Sequence, residues 1–258
     1  MSYETINYDK QAQVAVITLN RPSAYNAFTE QLNKELLHAI KQATKDKEVR
    51  CVVLTGKGKA FCSGQDLAEV NEQTNHATFL HERYHPMLQA IKQSPKPVIA
   101  AVNGIAAGAG MSLALVADFR IMKQEAKFVS AFMNVGLVPD TGFLYELPRM
   151  IGYAKALEVA VLGVPITADA AKELGLVTAV YEAVEWEQAV GEFATRIAKL
   201  PTKAFSLIKR YMQAGMNQDY EELLAQEAFA QRIAGMSDDH QEGLQAFLEK
   251  RSPNFNGN

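Results

Sequence analysis

Cysteine is scarce in this 258-residue chain, which holds only Cys51 and Cys62. Two thiols cannot build a disulfide framework for a chain of this length and match no paired-cysteine metal spacing, so a reducing, cytoplasmic location is expected. An excess of charge is also lacking, because 26 Lys and Arg oppose 29 Asp and Glu, for a formal net charge of −3. That balance excludes a protein held to nucleic acid by a strongly basic surface. No apolar run approaches the ~18 residues of a membrane span, and Met1-Ser2-Tyr3-Glu4-Thr5-Ile6-Asn7 offers neither a basic start nor an apolar stretch. Neither nucleic acid nor membrane is therefore expected as a partner. No Gly-Lys-Ser/Thr phosphate loop occurs, and Gly108-Ala109-Gly110 is followed three positions later by Leu113, not by the glycine of a dinucleotide fingerprint.

What is present is ordinary globular composition, with 48% hydrophobic and 21% charged residues, enough to build a core. The run 14–19 reads as a strand closed by Asn20-Arg21-Pro22-Ser23, followed by a helix with Thr29 as N-cap, Glu30 in its first turn and an end near Lys45. A second strand covers 49–54, and 57–67 reads as a small-residue loop leading into a helical segment. The same grammar returns with a strand over 98–102, the small-residue turn Ala106-Ala107-Gly108-Ala109-Gly110 and a helix over 111–117. Gly56 and Gly104 mark the two strand ends 48 positions apart, which points to repeated β-to-α units in an α/β fold. From Tyr153 the pattern is mainly helical, over 154–162, 167–174 and 186–200. Pro201 then marks a boundary before helices over 203–213, 220–234 and 239–250. The expected organisation is a core over 1–200 with a helical appendage over 201–258.

Several residues carry chemistry on paper. His81-Glu82-Arg83-Tyr84-His85 matches H-E-x-x-H, a zinc-peptidase pattern when helical. Pro86 disfavours a helix there, and no Asp, Glu, His or Cys from Pro86 to Val116 supplies a third ligand, so no metal site is expected and a solvated helix end is the plainer reading. The two Gly-rich turns open helices, where free N–H groups favour a developing negative charge. Facing one another they would make an oxyanion hole; alternatively their small residues only permit tight turns. Asp140 in Leu137-Val138-Pro139-Asp140-Thr141-Gly142 is either a helix N-cap for 143–150 or a catalytic carboxylate. Asp66 and Asp118 read as structural. Cys62 lies beside Ser63-Gly64, but no histidine is placed to activate it, so it reads as a packed residue.

Taken together, Leu19-Asn20-Arg21-Pro22 with Asn26-Ala27, Ala60-Phe61-Cys62-Ser63-Gly64-Gln65-Asp66-Leu67, Asn103-Gly104 with Ala107-Gly108-Ala109-Gly110, Gly136-Leu137-Val138-Pro139-Asp140 and Phe247-Leu248-Glu249-Lys250-Arg251 resemble the crotonase, or enoyl-CoA hydratase/isomerase, superfamily. The resemblance runs nearly end to end. It implies a spiral of repeated ββα units with a C-terminal helical trimerisation region, a homotrimer or a hexamer built as a dimer of trimers, and an acyl-CoA thioester substrate with no separate cofactor. It also implies that the backbone N–H groups of Gln65 and Ala109 hold the thioester oxygen and that Ala24, Ser63, Asp66 and Leu67 lie along the coenzyme A moiety. Lys250 from a neighbouring subunit would contact phosphate.

The departures narrow the activity that the resemblance implies. Hydratases of the family carry two glutamates where this chain has Ser112 and Phe132. Asp140 stands where ring-1,2-epoxyphenylacetyl-CoA isomerases and some Δ3,Δ2-enoyl-CoA isomerases place their acid/base, and Phe143 replaces a common glycine. An acyl-CoA isomerase with one carboxylate is therefore expected. The alternatives are a hydratase or other crotonase-type lyase using Asp140 and water, and more remotely the zinc peptidase or a non-catalytic binding module. The acyl group would be shaped by the segments 70–87 and 132–145.

Overall fold

The computed structural model describes residues 3–71 and 73–258; of the expected acyl-shaping segments, only Glu72 lies outside the described residues. The chain opens with the antiparallel pair β1 (Ile6–Gln11) and β2 (Val14–Leu19). Helix α1 (Glu30–Lys45) begins where the side chain of Thr29 accepts the Leu32 N–H at 3.2 Å, which satisfies one of the free donors of its first turn.

Three units then repeat one motif, two short strands followed by a helical or loop segment. The first pairs β3 (Cys51–Gly56) with β4 (Ala60–Cys62), the second β5 (Val98–Val102) with β6 (Ile105–Ala107), and the third β7 (Phe119–Lys123) with β8 (Lys127–Val129). Each unit sends its first strand to one sheet, ordered β1-β2-β3-β5-β7-β10, and its second to another, ordered β4-β6-β8-β9. Here β9 is Ile166–Thr167 and β10 is Ala179–Tyr181. From β2 to β10 the larger sheet is parallel. The strand β4 corrects the expectation of an irregular loop over 57–67.

The larger sheet is covered on both faces, which explains why β3 and β5 read as unbroken apolar runs. Ala15, Ile17, Leu19, Val52 and Leu54 face one core with α1. Val14, Cys51, Val53 and Ile99 face a second core, built by Trp186, Phe193 and Ile197 of a later helix, α8 below. After β4 the chain passes through a 3-10 turn (Leu67–Glu69), α2 (His76–Phe79), a π-helical turn (Leu80–Tyr84) and α3 (His85–Gln93). Pro86 lies in a continuous helical run from His76 to Gln93, directly after the π-helical turn, whose wider hydrogen-bond spacing accommodates a residue that cannot donate. The expectation that Pro86 breaks the helix is thus corrected.

Helix α4 (Ala109–Val116) is buried along its whole length, and its small residues let it approach the strands. A methyl group at Gly110 would stand 2.0 Å from the Cys62 carbonyl, so only glycine fits there. Helices α5 (Phe143–Ile151), α6 (Tyr153–Leu162), α7 (Ala168–Glu173) and α8 (Trp186–Ala198) close the core. Beyond Pro201 come α9 (Thr202–Gly215), α10 (Tyr220–Gly235) and α11 (Asp238–Glu249). Lys209 of α9 reaches back to pair with the largely buried Asp118 at 2.9 Å. No described helix is long and apolar enough to cross a membrane.

Candidate active site

The motif residues before the first unit build its turn. Asn26 is fully buried, accepts the Arg21 N–H at 2.9 Å and donates to the carbonyls of Lys57 and Ala60 at 3.0 and 2.8 Å. Asn103 accepts the Gly56 N–H at 2.9 Å and donates to the Gly58 carbonyl at 3.0 Å. These amides satisfy backbone groups that the abrupt step from β3 to β4 would otherwise leave unpaired.

Phe28 then straps the end of β4. Its N–H donates to the Gly64 carbonyl at 2.8 Å and its carbonyl accepts the Asp66 N–H at 2.9 Å. That pattern turns the Gln65 N–H away from the strap. The Ala109 N–H, at the first residue of α4, has no intrahelical acceptor. Among the described residues neither group donates to a backbone carbonyl outside regular elements. The two turns also meet, because a methyl at Gly64 would lie 2.9 Å from the Ala107 carbonyl oxygen and 3.5 Å from the Ala109 nitrogen. Gly64 has φ +97 and Gly108 φ +51, backbone that side chains with a Cβ rarely adopt.

A cavity of about 320 Å³ opens over these turns. Ser63, Gln65, Leu67, Ala109 and Asp140 line it, so the structure brings most of the sequence-selected residues together. Its apolar wall comes from Val70, Phe79, Leu80, Phe132, Val135 and Leu137. Ala24, Asp66 and Lys250 are not among its lining. Ala24 ends a 3-10 turn, Asp66 pairs with Arg21 at 2.9 Å and accepts the Ala68 N–H, and Lys250 caps α11 in left-handed backbone.

Asp140 is half-buried and caps no helix. The N-cap of α5 is Gly142, and the Asp140 side chain makes no capping bond. Its Oδ1 accepts the Thr141 hydroxyl at 2.7 Å, and its carbonyl accepts both the Phe143 N–H and the Ser112 hydroxyl at 3.0 Å. Burial pushes its carboxyl above the usual carboxylate range, opposed by the Thr141 hydrogen bond and by His76 and His85. Ser112, fully buried, thus anchors the Asp140 loop, while Phe132 packs edge-on against Phe143 with ring centroids 5.9 Å apart.

Three participants escaped the sequence reading. Tyr84 is buried and kept protonated by burial, and its hydroxyl donates to the Gln65 side chain at 2.5 Å. His76 lines the cavity, and Thr141 holds the carboxylate. The adjacency of Thr141 to Asp140 was the one local signal. Cys62 is fully buried with its thiol pushed up to about 12, so it is no thiolate nucleophile at neutral pH. His81 and His85 do fall on helical backbone, ring centroids 4.8 Å apart, and no group of three metal-capable side chains occurs among the described residues.

Comparison with known proteins places this architecture. An enoyl-CoA hydratase from Bacillus anthracis has the same fold, with a TM-score of 0.92 at 35% identity, over 99% of this chain and 100% of that one. The chain is therefore a crotonase-fold protein with a C-terminal helical region. It belongs to the enoyl-CoA hydratase/isomerase family, whose description matches residues 9–258. It is 45% identical, over the full length of both, to a Rhodobacter capsulatus protein named "Probable enoyl-CoA hydratase". It is 41% identical, over 95% of each chain, to the 1,2-epoxyphenylacetyl-CoA isomerase of Escherichia coli. Family membership defines an enzyme of the crotonase superfamily; its relatives carry the names of both reactions.

Proposed function

We propose that this enzyme is an acyl-CoA thioester isomerase that moves a C2 proton with a single acid/base, Asp140. The observation that carries the reading is one carboxylate lining the same cavity as Gln65, in the turn after β4, and Ala109, at the start of α4, whose N–H groups donate to no backbone carbonyl outside regular elements among the described residues. The N–H groups of Gln65 and Ala109 take the thioester oxygen, and each such donor contributes about 3–4 kcal/mol to an enolate-like transition state. Asp140 removes the C2 proton and returns it to C4, shifting the double bond from C3=C4 to C2=C3; the related rearrangement of a ring epoxide begins from the same thioester grip. Partial burial raises the carboxyl toward the operating pH, which suits a group that must take and give a proton.

Phe132 and Ser112 occupy the positions where family hydratases resemble one another in carrying glutamates, and neither side chain activates water. Ala24, Ser63, Asp66 and Leu67 run beside the coenzyme A moiety, with Asp66 oriented by its pair to Arg21. Lys250 serves a neighbouring copy within a homotrimer or a dimer of trimers. No cofactor beyond the substrate's own coenzyme A enters the reaction. The test is a panel of 3-enoyl-, 2-enoyl- and aromatic epoxide CoA thioesters, with products identified by mass and NMR. Double-bond migration in a 3-enoyl-CoA is expected to outrun hydration of crotonyl-CoA, and the reverse order would overturn the isomerase reading in favour of a hydratase using Asp140 and water.

A further inference from the structure

The main chain at Asp140 is pinned twice, by the Ser112 hydroxyl of α4 and by the Phe143 N–H of α5, both on its carbonyl at 3.0 Å. Its side chain is held otherwise. Among the described residues the one hydrogen bond to the carboxylate comes from Thr141, at 2.7 Å to Oδ1. A carboxylate only accepts, so the threonine hydroxyl is the donor.

Thr141 is an unusual occupant of its position. It is 2% exposed and has φ +56, left-handed backbone that a β-branched residue rarely adopts. The next residue, Gly142, repeats that conformation at φ +85. Strained backbone of this kind persists where its surroundings over-determine it, and it clusters at working sites. Here the strained turn delivers a buried hydroxyl onto the neighbouring carboxylate.

We infer that Thr141 is a positioning residue for Asp140: its hydroxyl fixes the carboxylate by holding Oδ1 and so assigns Oδ2 as the oxygen that receives and returns the substrate proton. This rests on the reading of Asp140 as the base. An occupied Oδ1 disfavours protonation there, because the hydroxyl would lose its acceptor. The bond also favours the charged carboxylate, against the burial that opposes it. His76 from α2, His85 from α3 and Tyr84 from the π-helical turn also act on or respond to the Asp140 charge and stay unchanged in the variants below.

Thr141→Val keeps the β-branch and the volume while removing the hydroxyl; Thr141→Ser keeps the hydroxyl. With 3-enoyl-CoA, Thr141→Val is expected to lower kcat about tenfold or more with little change in KM, the scale of a lost hydrogen bond to a charged group. The acidic limb of its pH–rate profile should move to higher pH, and Thr141→Ser should recover both. Carbon-13 NMR titration of the Asp140 carboxyl reads the same shift without turnover. Wild-type kcat and titration in folded Thr141→Val, or a Thr141→Ser protein as impaired as Thr141→Val, would overturn the inference. Should Thr141→Val not fold, Thr141→Gly removes the hydroxyl together with the backbone strain, and its kcat and titration decide by the same two outcomes. Asp140→Asn is run alongside: if it alone loses activity, Thr141 is exonerated and the base reading stands, whereas an active Asp140→Asn protein fails the base reading while the titration still reports whether Thr141 holds the carboxylate.

Discussion

A half-buried carboxylate is charged against its surroundings, and at Asp140 that conflict is visible in the direction of its shift. Because the folded-state pKa lies above the ordinary value of 3.8, the folded protein binds more protons than the unfolded chain in the window between the two values. Stability contributed by this group therefore falls as pH rises through that window, and the penalty is complete above it. Asp140→Asn removes the charge and keeps the shape, so the melting temperature at neutral pH should be unchanged or raised. Turnover should fall about 10²–10⁴-fold, while thioester affinity, set by remote contacts, changes little. Turnover, substrate Kd and melting temperature on one preparation check this, and near-wild-type turnover would remove Asp140 from the reaction. At this scale the site was partly legible. The glycines that let two turns approach are local and show in sequence, as does a lone aspartate between Pro139 and Thr141. The Thr141 bond depends on a left-handed turn, and the Tyr84 bond on the π-helical turn meeting Gln65 19 positions earlier, and no short pattern encodes either.

Between elements, one tie of the C-terminal helices to the spiral is a largely buried ion pair. Lys209 of α9 donates to Asp118 and to the Ile91 carbonyl, both at 2.9 Å, and Asp118 also accepts the Val98 N–H. Burial pushes Asp118 up and Lys209 down, each opposed by the other's charge. Removing one partner strands the other, so Lys209→Ala should destabilise by about 3–5 kcal/mol. Urea unfolding measures this, and Asp118→Asn combined with Lys209→Met should recover much of the loss. A single-variant change below about 1 kcal/mol, the range of an exposed pair, would show that the buried tie does not operate. Asp118 reads from the sequence as structural, in keeping with this ion pair, but its partner lies 91 positions away, beyond any periodicity. The elements themselves divide by length. Helices capped by Thr29 and Thr167 and the strands β2, β3 and β5 are long enough to show their patterns. The three-residue strands β4 and β6 are too short for alternation and rich in alanine, and so read as loop and turn. The helix passes through Pro86 because the π-helical turn before it takes up the missing donor, a local widening that no sequence pattern announces.

For the whole molecule, the helices beyond Pro201 pose a problem that one chain does not solve. Ile208, Met212, Tyr220, Phe229, Phe247 and Leu248 are half or more exposed, and α9 and α10 flank a cavity of about 760 Å³ with an apolar lining that includes Leu207, Leu223 and Leu224. So large an apolar surface on a protein of balanced charge calls for a cover, and the proposed homotrimer or dimer of trimers would supply it through a closed symmetric contact. Lys250 sits on the same C-terminal region, at the end of α11 and outside the lining of its own chain's catalytic cavity. The proposed phosphate contact by a neighbouring copy's Lys250 would tie assembly to substrate affinity. Light scattering at micromolar concentration should give three or six times the chain mass of 28.4 kDa. Phe247→Asp with Leu248→Asp should lower that mass if these side chains are covered in the assembly. Lys250→Ala should leave the mass intact and raise KM for CoA thioesters while kcat stays near wild type, because a remote phosphate contact binds ground and transition states alike. A stable monomer that turns over at the wild-type rate would sink both the assembly and the cross-subunit role of Lys250.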